Sequence, residues 1–401
     1  MIVLNNEAVP VHRWTLHRPP LWLAAYSLAL AIWLVGLYLP LFFSSFPTPI
    51  DSLDFSYYLA GARIGLEHGW SHIYDLDLQR AIFYQLHPAS DVFDWRRYFV
   101  SPPPVAWIVA PFTALPEAPA FWVFTSLSAV AFAVCGWLAV PGRGLGRLAL
   151  FVTAACSYPV LIAIQTGQIT PVVTAAAVLG WWLAQRRHQV TAGIVLIALL
   201  LKPQVAFLVG PALLIRGERK LFVTWLVGSV ALTGLSIASL GGSGLSQLGG
   251  ALDAEQGQGA NLAWTLSGLL GTGVLTRMVE AAGACAALAV AWWQKKRASD
   301  VTIVAAILGT LLASPYHNPS DFAILAPAAW LQLRAGTTLA QKVWLGFGLL
   351  ATYMAANLGP GPLLAFAAGW LVLIIAGSLG SREIVDGKAA SGHVQTSGAE
   401  S

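Results

Sequence analysis

The sequence VTAGIVLIALLLKPQVAFLVGPALLI, residues 190–215, decides the fold. It contains two apolar runs of 12 and 13 residues, and these runs are separated by Lys202. Basic residues flank both outer ends, namely Arg186, Arg187, Arg216, Arg219 and Lys220. Because the cytoplasmic loops of membrane proteins carry an excess of Lys and Arg, we expect both ends on the cytoplasmic side. The stretch is therefore predicted to form a hairpin with Lys202 at its tip, near the outer membrane boundary.

The composition of the whole chain also predicts a membrane protein. Of its 401 residues, 57% are hydrophobic and only 10% are charged, whereas soluble domains carry about 25% charged residues. Residues 21–43 contain no charge, and Arg13 and Arg18 precede them. This run is too long for the apolar core of a signal peptide, which has about 7–15 residues. We expect a first transmembrane helix here, with the N-terminus in the cytoplasm.

Eleven further apolar runs are candidates for membrane helices. They cover residues 119–140, 148–164, 168–184, 190–201, 203–215, 221–240, 278–293, 301–313, 322–333, 343–358 and 363–379. With twelve crossings and both termini inside, the clusters that contain 16 of the 22 Lys and Arg residues all lie in the cytoplasm. This arrangement requires that residues 102–116 do not cross. Four prolines, at positions 102, 103, 104 and 111, favour a re-entrant or interfacial segment instead.

The sequence thus predicts an all-α integral membrane protein, a multi-pass bundle of about 12 transmembrane helices plus that re-entrant or interfacial segment. Residues 1–380 are interpreted as one polytopic domain. The tail, residues 381–401, is rich in Gly and Ser, and it is expected to be disordered and cytoplasmic.

Four polar segments are expected on the extracytoplasmic side. One is the first loop, residues 44–101. The others are short breaks between apolar runs: TGQITP at 166–171 (the first tip), LKPQ at 201–204 (the second tip) and SPYHNPSD at 314–321 (the third tip).

Lys202 is the most informative single residue. A lysine inside the membrane costs about 2.5–3.5 kcal/mol on insertion scales, so it usually faces a water-filled cavity or a counter-charge. One interpretation is a cation that binds an anionic ligand such as a phosphate. The other is a lysine whose ammonium group extends to the outer headgroups.

Asp54 lies in DSLDFSYY, residues 51–58, directly after the first predicted helix. A carboxylate at the membrane surface beside the rings of Tyr57 and Tyr58 could act as a general base toward a hydroxyl group. The segment fits equally well a capped helix N-terminus with an acidic first turn.

Other polar residues of the outer segments have two interpretations each. His317 and Asp321 could orient a phosphate or an acceptor sugar, or Asp321 could cap the helix that follows it. Arg96 and Arg97 could bind an anionic lipid or phosphate, or neutralise Asp91 and Asp94.

The histidines and the Asp75-Leu-Asp77 sequence do not indicate a metal site. Asp75 and Asp77 are interpreted as part of a solvated turn. His68 and His72 have i,i+4 spacing but no third ligand nearby. We predict no catalytic metal and no cofactor.

Taken in order, these segments resemble glycosyltransferase family 87, a group of membrane enzymes with the GT-C architecture. The motifs that carry the resemblance are DFSYYLAGARI at 54–64, IY at 73–74, YFVSPPPVAWIVAPFTALP at 98–116, GQ at 167–168, KPQ at 202–204 and SPYHNPSDF at 314–322. The resemblance covers roughly residues 20–380.

The resemblance implies a hexosyltransferase. It would move a sugar, typically mannose, from a polyprenyl-phosphate donor to a lipid- or glycan-linked acceptor on the extracytoplasmic face of the cell membrane. The family's catalytic aspartate falls on Asp54, and Lys202 would lie near the donor phosphate. The further candidates for substrate binding are Tyr57, Arg96, Arg97, Gln168, His317 and Asp321.

Two other classes of function remain open from the residues alone. Broken helices and an intramembrane lysine also suit a transporter or flippase of a lipid-linked or anionic solute. A scaffold for other envelope enzymes would make none of these polar residues individually important. The lipid bilayer is an expected partner, and nucleic acid is not.

Overall fold

The structure is a computed structural model, and it describes residues 54–87, 98–256, 262–295 and 299–394, with isolated positions between 29 and 44. Most of the predicted first helix, residues 21–43, therefore lies outside the described residues. The same holds for Arg96 and Arg97.

The described residues form helices and contain no strand. The α-helices are α1 (Asp54–Glu67), α2 (Leu76–Leu86), α3 (Pro103–Val109), α4 (Glu117–Ala139), α5 (Gly144–Ala155), α6 (Tyr158–Gln165), α7 (Thr170–Gln185), α8 (Gln189–Leu196), α9 (Val209–Arg216), α10 (Arg219–Gln256), α11 (Leu266–Leu270), α12 (Val274–Trp293), α13 (Ser299–Ala313), α14 (Leu325–Ala335), α15 (Leu339–Leu358) and α16 (Gly361–Val394). Short 3-10 helices lie at Trp70–His72, Ala110–Ala114, Ile197–Leu201, Pro203–Val205 and Pro319–Ile324.

Four of the described helices are long and apolar enough to cross a membrane. They are α4, the Arg219–Ala254 part of α10, α12, and the Gly361–Ser378 part of α16. A fifth span is possible if α5 and α6, which meet at a bend of 63°, cross as one unit. Each of the eleven predicted runs contains helix, but six of them fall in α-helices of 8 to 16 residues, which is shorter than the 20 or so residues that a crossing needs. The predicted number of twelve spans is therefore not confirmed.

The surfaces of these helices fit a membrane environment. Val130 and Val134 on α4, and Val227 and Val230 on α10, each expose 60% or more of their area. Exposed apolar surface on this scale is unfavourable in water and normal in contact with lipid. Helix length, composition and exposed surface together identify an integral membrane protein.

The proline-rich run 102–116 forms α3 and the adjoining 3-10 helix Ala110–Ala114. Pro103 and Pro104 lie in the first turn of α3, where a missing N–H costs no helical hydrogen bond. The 12 residues of Pro103–Ala114 extend about 18 Å at 1.5 Å per residue, which is less than the ~30 Å of hydrocarbon that a crossing helix covers. This length agrees with a segment that enters the membrane without crossing it.

Two helices beside the polar tips have long buried stretches. In α1, every residue from Phe55 to Ala62 is buried, and in α13 every residue from Thr302 to Leu312 is buried. A helix that is buried on all sides lies in the interior of a bundle. The third tip follows α13 directly, so its side chains begin in the interior of the protein.

The last helix, α16, extends to Val394, within the tail that the sequence predicts to be disordered. Once a helix has formed in the membrane, each further residue adds a backbone hydrogen bond without a new nucleation cost. Residues 395–401 lie outside the described residues.

Candidate functional site

The first tip is a tight turn between α6 and α7 that depends on a glycine. Gly167 has φ = +66°, a left-handed conformation that residues with a side chain rarely adopt. A Cβ atom on Gly167 would also lie 2.7 Å from Cβ of Phe55. Conformation and space therefore both require glycine here, and the turn brings Gln168 against α1.

Lys202 lies at the second tip, between two 3-10 helices, and its side chain is buried. Nζ is 2.5 Å from Oδ1 of Asp321 in the third tip. It also donates hydrogen bonds to Oε1 of Gln168 at 2.8 Å and to Oγ1 of Thr170 at 2.9 Å. Nζ of Lys202 thus has two hydrogen-bond acceptors and one carboxylate counter-charge. Lys202 has a counter-charge and extends neither to solvent nor to headgroups.

Asp321 has two structural partners besides Lys202. Asn318 caps the 3-10 helix Pro319–Ile324, and Asp321 completes a capping box by accepting a hydrogen bond from the Asn318 backbone N–H at 3.0 Å. Nδ1 of His317 is 3.5 Å from Oδ2 of Asp321. The turn is capped, but its N-cap is Asn318 rather than the predicted Asp321, which lies three residues later.

His317 is fixed by a second contact on the other side of its ring. Nε2 lies 2.9 Å from the backbone oxygen of Leu311, an acceptor that requires the proton on this nitrogen. His317 and Asp321 are both completely buried. In their described positions neither side chain reaches the surface.

Asp54 is the first residue of α1, and it directly precedes the buried residues Phe55–Ala62. Its own side chain is partly exposed, whereas the residues that follow it are packed. The backbone N–H of Phe55 donates to the backbone oxygen of Thr166 in the first tip at 3.1 Å. The Tyr58 hydroxyl donates to Oε1 of Gln168 at 2.8 Å. The N-terminus of α1 is thereby attached to the first tip next to Asp54.

A sequence model of glycosyltransferase family 87 matches residues 99–315, more than half of the chain. The chain belongs to glycosyltransferase family 87. The match includes the first two tips and reaches the beginning of the third, while Asp54 precedes it and Asp321 follows it. Searches of curated proteins and of solved structures gave no significant match.

In this family 87 glycosyltransferase, the side chains predicted from the three tips come together. Gln168, Lys202, His317 and Asp321 form one connected buried cluster, and Tyr58 links it to α1. Tyr57, the tyrosine predicted to bind substrate, stacks on Phe83 with ring centroids 5.2 Å apart. Arg96 and Arg97 lie outside the described residues.

Sequence reasoning missed Tyr58 and Thr170 as members of the cluster. Tyr58 had a usable signal, because it follows Asp54 by four residues and so shares its helix face. Thr170 had none beyond its place in a polar tip, since a threonine at a helix start usually acts as a cap.

Asp75, in the Asp75-Leu-Asp77 segment of the glycosyltransferase, caps a helix. Oδ1 of Asp75 accepts hydrogen bonds from the backbone N–H groups of Asp77 at 3.0 Å and Leu78 at 3.1 Å. Asp75 is the N-cap of α2, which agrees with the turn favoured by the sequence. Within the described ranges, no group of three or more His, Cys, Asp or Glu residues is arranged to hold a metal ion.

An apolar groove opens beside the second tip. It has a volume of about 460 Å³. Its walls include Pro104, Trp107, Ile108, Ile194, Ile197 and Leu201. The groove therefore lies between the proline-rich segment of α3 and the helix that leads to Lys202. A groove lined by apolar side chains suits a hydrocarbon chain.

Proposed function

We propose that this glycosyltransferase transfers a hexose, with mannose as the first candidate, from a polyprenyl-phosphate donor to a lipid- or glycan-linked acceptor. Asp54 is the proposed general base. The observation that carries this role is its position: a partly exposed carboxylate at the start of a buried helix, which is attached to the first tip by the adjacent Phe55.

The proposed reaction is a substitution at the anomeric carbon. Asp54 takes the proton of the acceptor hydroxyl, and that oxygen forms a bond to the anomeric carbon as the bond to the phosphate oxygen breaks. The phosphate leaves with the bonding electrons, through an oxocarbenium-like transition state similar to that of glycoside hydrolysis. Because phosphate is a good leaving group, the scheme needs neither a general acid nor a metal ion.

The apolar groove supports a donor with a lipid tail. Its walls include Leu201, the first residue of the second tip, so a chain lying in it would bring its headgroup toward the polar tips. Transfer at the membrane would leave the polyprenol in the bilayer throughout the reaction.

Charge near the donor phosphate is proposed to come from Arg96 and Arg97. A sequence-based hypothesis gave this role to Lys202, but the charge of Lys202 is balanced by Asp321 at 2.5 Å. An ion pair has a much weaker field at a distance than a single cation. We therefore propose that Lys202 lies near the phosphate without being its main counter-charge.

The proposed orientation follows the basic clusters. The positive-inside rule assigns both termini to the cytoplasm and the three tips to the extracytoplasmic side of the plasma or inner membrane. A polyprenyl-phosphate sugar on that side would reach the tips from within the outer leaflet.

The experiment that tests this function uses the full-length protein in proteoliposomes. Polyprenyl-phosphate [³H]mannose is added with extracted membrane lipids or glycans as acceptors, and the labelled products are separated. We expect label in a new lipid or glycan with the wild-type protein and none with Asp54→Asn. Equal labelling by both proteins would refute the role of Asp54, and donor crossing the bilayer without any transfer would indicate the flippase alternative.

A further inference from the structure

The three tips and α1 form a chain of contacts that ends beside Asp54. Phe55 is the residue after Asp54, and its N–H is held by the Thr166 oxygen at 3.1 Å. One turn further along α1, the Tyr58 hydroxyl is held by Oε1 of Gln168 at 2.8 Å. The first tip thus contacts α1 both next to Asp54 and one turn after it.

Gln168 is itself oriented by the other tips. Its Oε1 accepts two hydrogen bonds, one from Tyr58 and one from Nζ of Lys202. An amide oxygen has two lone pairs, so both are used. Lys202 is in turn held by Thr170 and by Asp321. The orientation of the Gln168 amide therefore depends on all three tips.

The side chains in this chain of contacts differ from Asp54 in their exposure to solvent. Gln168 is 3% exposed, Lys202 is 6% exposed and Asp321 is fully buried, whereas Asp54 is partly exposed. A ligand could bind Gln168 or Lys202 directly only by displacing partners that already satisfy them. Their arrangement suits side chains that hold α1 in place better than side chains that bind substrate.

We propose that Gln168, held by the Lys202–Asp321 pair, is a positioning residue that fixes the Asp54 carboxylate relative to the acceptor hydroxyl. This inference rests on the proposed function. A displacement of about 1 Å at a reacting group can reduce a rate about 100-fold. Loosening the N-terminus of α1 therefore lowers kcat, while the groove and the binding of the donor stay unchanged.

The test compares three variants of the full-length protein in proteoliposomes. Gln168→Met removes the side-chain oxygen that accepts the two hydrogen bonds and keeps the length of the side chain. Gln168→Glu keeps an oxygen that can accept hydrogen bonds from Tyr58 and Lys202. Tyr58→Phe removes only the hydroxyl group by which α1 donates a hydrogen bond to Gln168. Rates are measured with polyprenyl-phosphate [³H]mannose, with kcat and the KM of the donor determined separately.

We expect Gln168→Met to lower kcat about 10- to 100-fold, with a smaller loss in Tyr58→Phe. The KM of the donor should change less than about twofold in both. Gln168→Glu should retain more of kcat than Gln168→Met, because it keeps an oxygen that accepts both hydrogen bonds, although it adds a carboxyl group beside Asp321. A rise in the KM of the donor at unchanged kcat, or equal losses in the Glu and Met variants, would overturn the proposal in favour of direct binding.

Tyr353→Phe is a matched control for stability. Tyr353 is also a buried tyrosine, and its hydroxyl donates to the backbone oxygen of Thr153 at 2.6 Å, which links α15 to α5 rather than to the tips. It should lower the unfolding temperature about as much as Tyr58→Phe while leaving kcat unchanged.

Asp54→Asn, measured in the same series, separates the two proposals. If Asp54→Asn is inactive but the Gln168 variants affect only KM, the positioning role is wrong and the proposed function stands. If Asp54→Asn is fully active, the proposed base is wrong whatever the Gln168 variants do.

Discussion

Two carboxylates are buried near opposite ends of α13, and they are stabilised in different ways. Asp300, at the start of the helix, accepts hydrogen bonds from Nε1 of Trp181 at 2.7 Å and Nε2 of Gln185 at 2.8 Å. Asp321, beyond the other end, faces the ammonium group of Lys202 at 2.5 Å. Asp300 retains 7% exposure, and Asp321 has none.

The difference indicates what each end of the bundle does. A carboxylate at a helix N-terminus is stabilised by the helix dipole, and Asp300 also has two neutral donors from α7 and the more distant charges of Arg334 and Arg216. A completely buried carboxylate needs a full counter-charge. For Asp321 this charge comes from another tip, and the resulting contacts fix several segments relative to one another. The Asp300 end holds two helices together, whereas the tip end assembles a site.

The largest expected effect is on activity, and it compares Asp54, which is attached to the tip end, with Asp300 at the other end of α13. Asp54→Asn should lower the rate of transfer by about 10²- to 10⁴-fold, since a positioned general base contributes on that order. Asp300→Asn keeps an oxygen acceptor for Trp181 and Gln185, and we expect it to remain active. Both are measured by transfer of labelled sugar in proteoliposomes containing equal amounts of protein. Loss of activity in Asp300→Asn would mean that the functional contrast is wrong.

The next contrast concerns the stability of the buried pair. Lys202→Met or Asp321→Asn alone leaves one buried charge without a partner, which should cost about 3–5 kcal/mol. The double variant removes both charges and should recover most of that loss. The measurement is the free energy of unfolding of the purified protein in detergent.

A double-mutant cycle on Lys202 and Asp321 also tests the hypothesis that Lys202 binds the phosphate of the donor. If Lys202 were the main phosphate ligand, the double variant would show a strongly raised KM for the donor despite its recovered stability. If the losses of the single variants simply added in the double variant, the two charges would not be coupled at all.

A third contrast compares two glycines with positive φ. Gly167→Ala in the first tip combines an unfavourable φ of +66° with a clash against Phe55, and we expect it to destabilise the protein by about 1–3 kcal/mol or more. Gly217→Ala, at the basic end of α9, has φ = +103° but no atom within 4 Å of the new Cβ. It should cost less, near 1 kcal/mol. The unfolding temperatures of the two variants test this order.

The smallest effect is expected for Asp75→Ala. It removes the N-cap of α2 and should cost about 1 kcal/mol, without a change in the rate of transfer. Sensitivity of the wild-type enzyme to EDTA, together with an inactive Asp75→Ala, would instead support a metal site at Asp75 and Asp77.

The sequence predicted the grouping of the tips better than the number of spans. The basic clusters put Gln168, Lys202 and Asp321 on one side, and the structure joins them, because every tip lies between two apolar runs of similar length. The number of twelve spans is not confirmed, because six of the eleven runs in the described residues fall in α-helices of 8 to 16 residues, whereas a crossing helix needs about 20.

The partner of Lys202 could not be identified from the sequence. Lys202 and Asp321 are 119 positions apart, and local pattern gives no information about contacts at that separation. A counter-charge was expected on energetic grounds, but the sequence offered Asp321 equally as a helix cap. The structure contains both features, since Asp321 completes the capping box and also pairs with Lys202.

The 63° bend between α5 and α6 has a consequence for water. If α5 stands upright, its 12 residues rise about 18 Å, and the 8 residues of α6 add only about 5 Å along the same direction. Taken alone, this pair of helices covers less than the ~30 Å hydrocarbon thickness of a bilayer, which would place the first tip below the outer membrane surface. If the proposed transfer takes place at that depth, few water molecules reach the sugar, and the acceptor hydroxyl is favoured over hydrolysis of the donor.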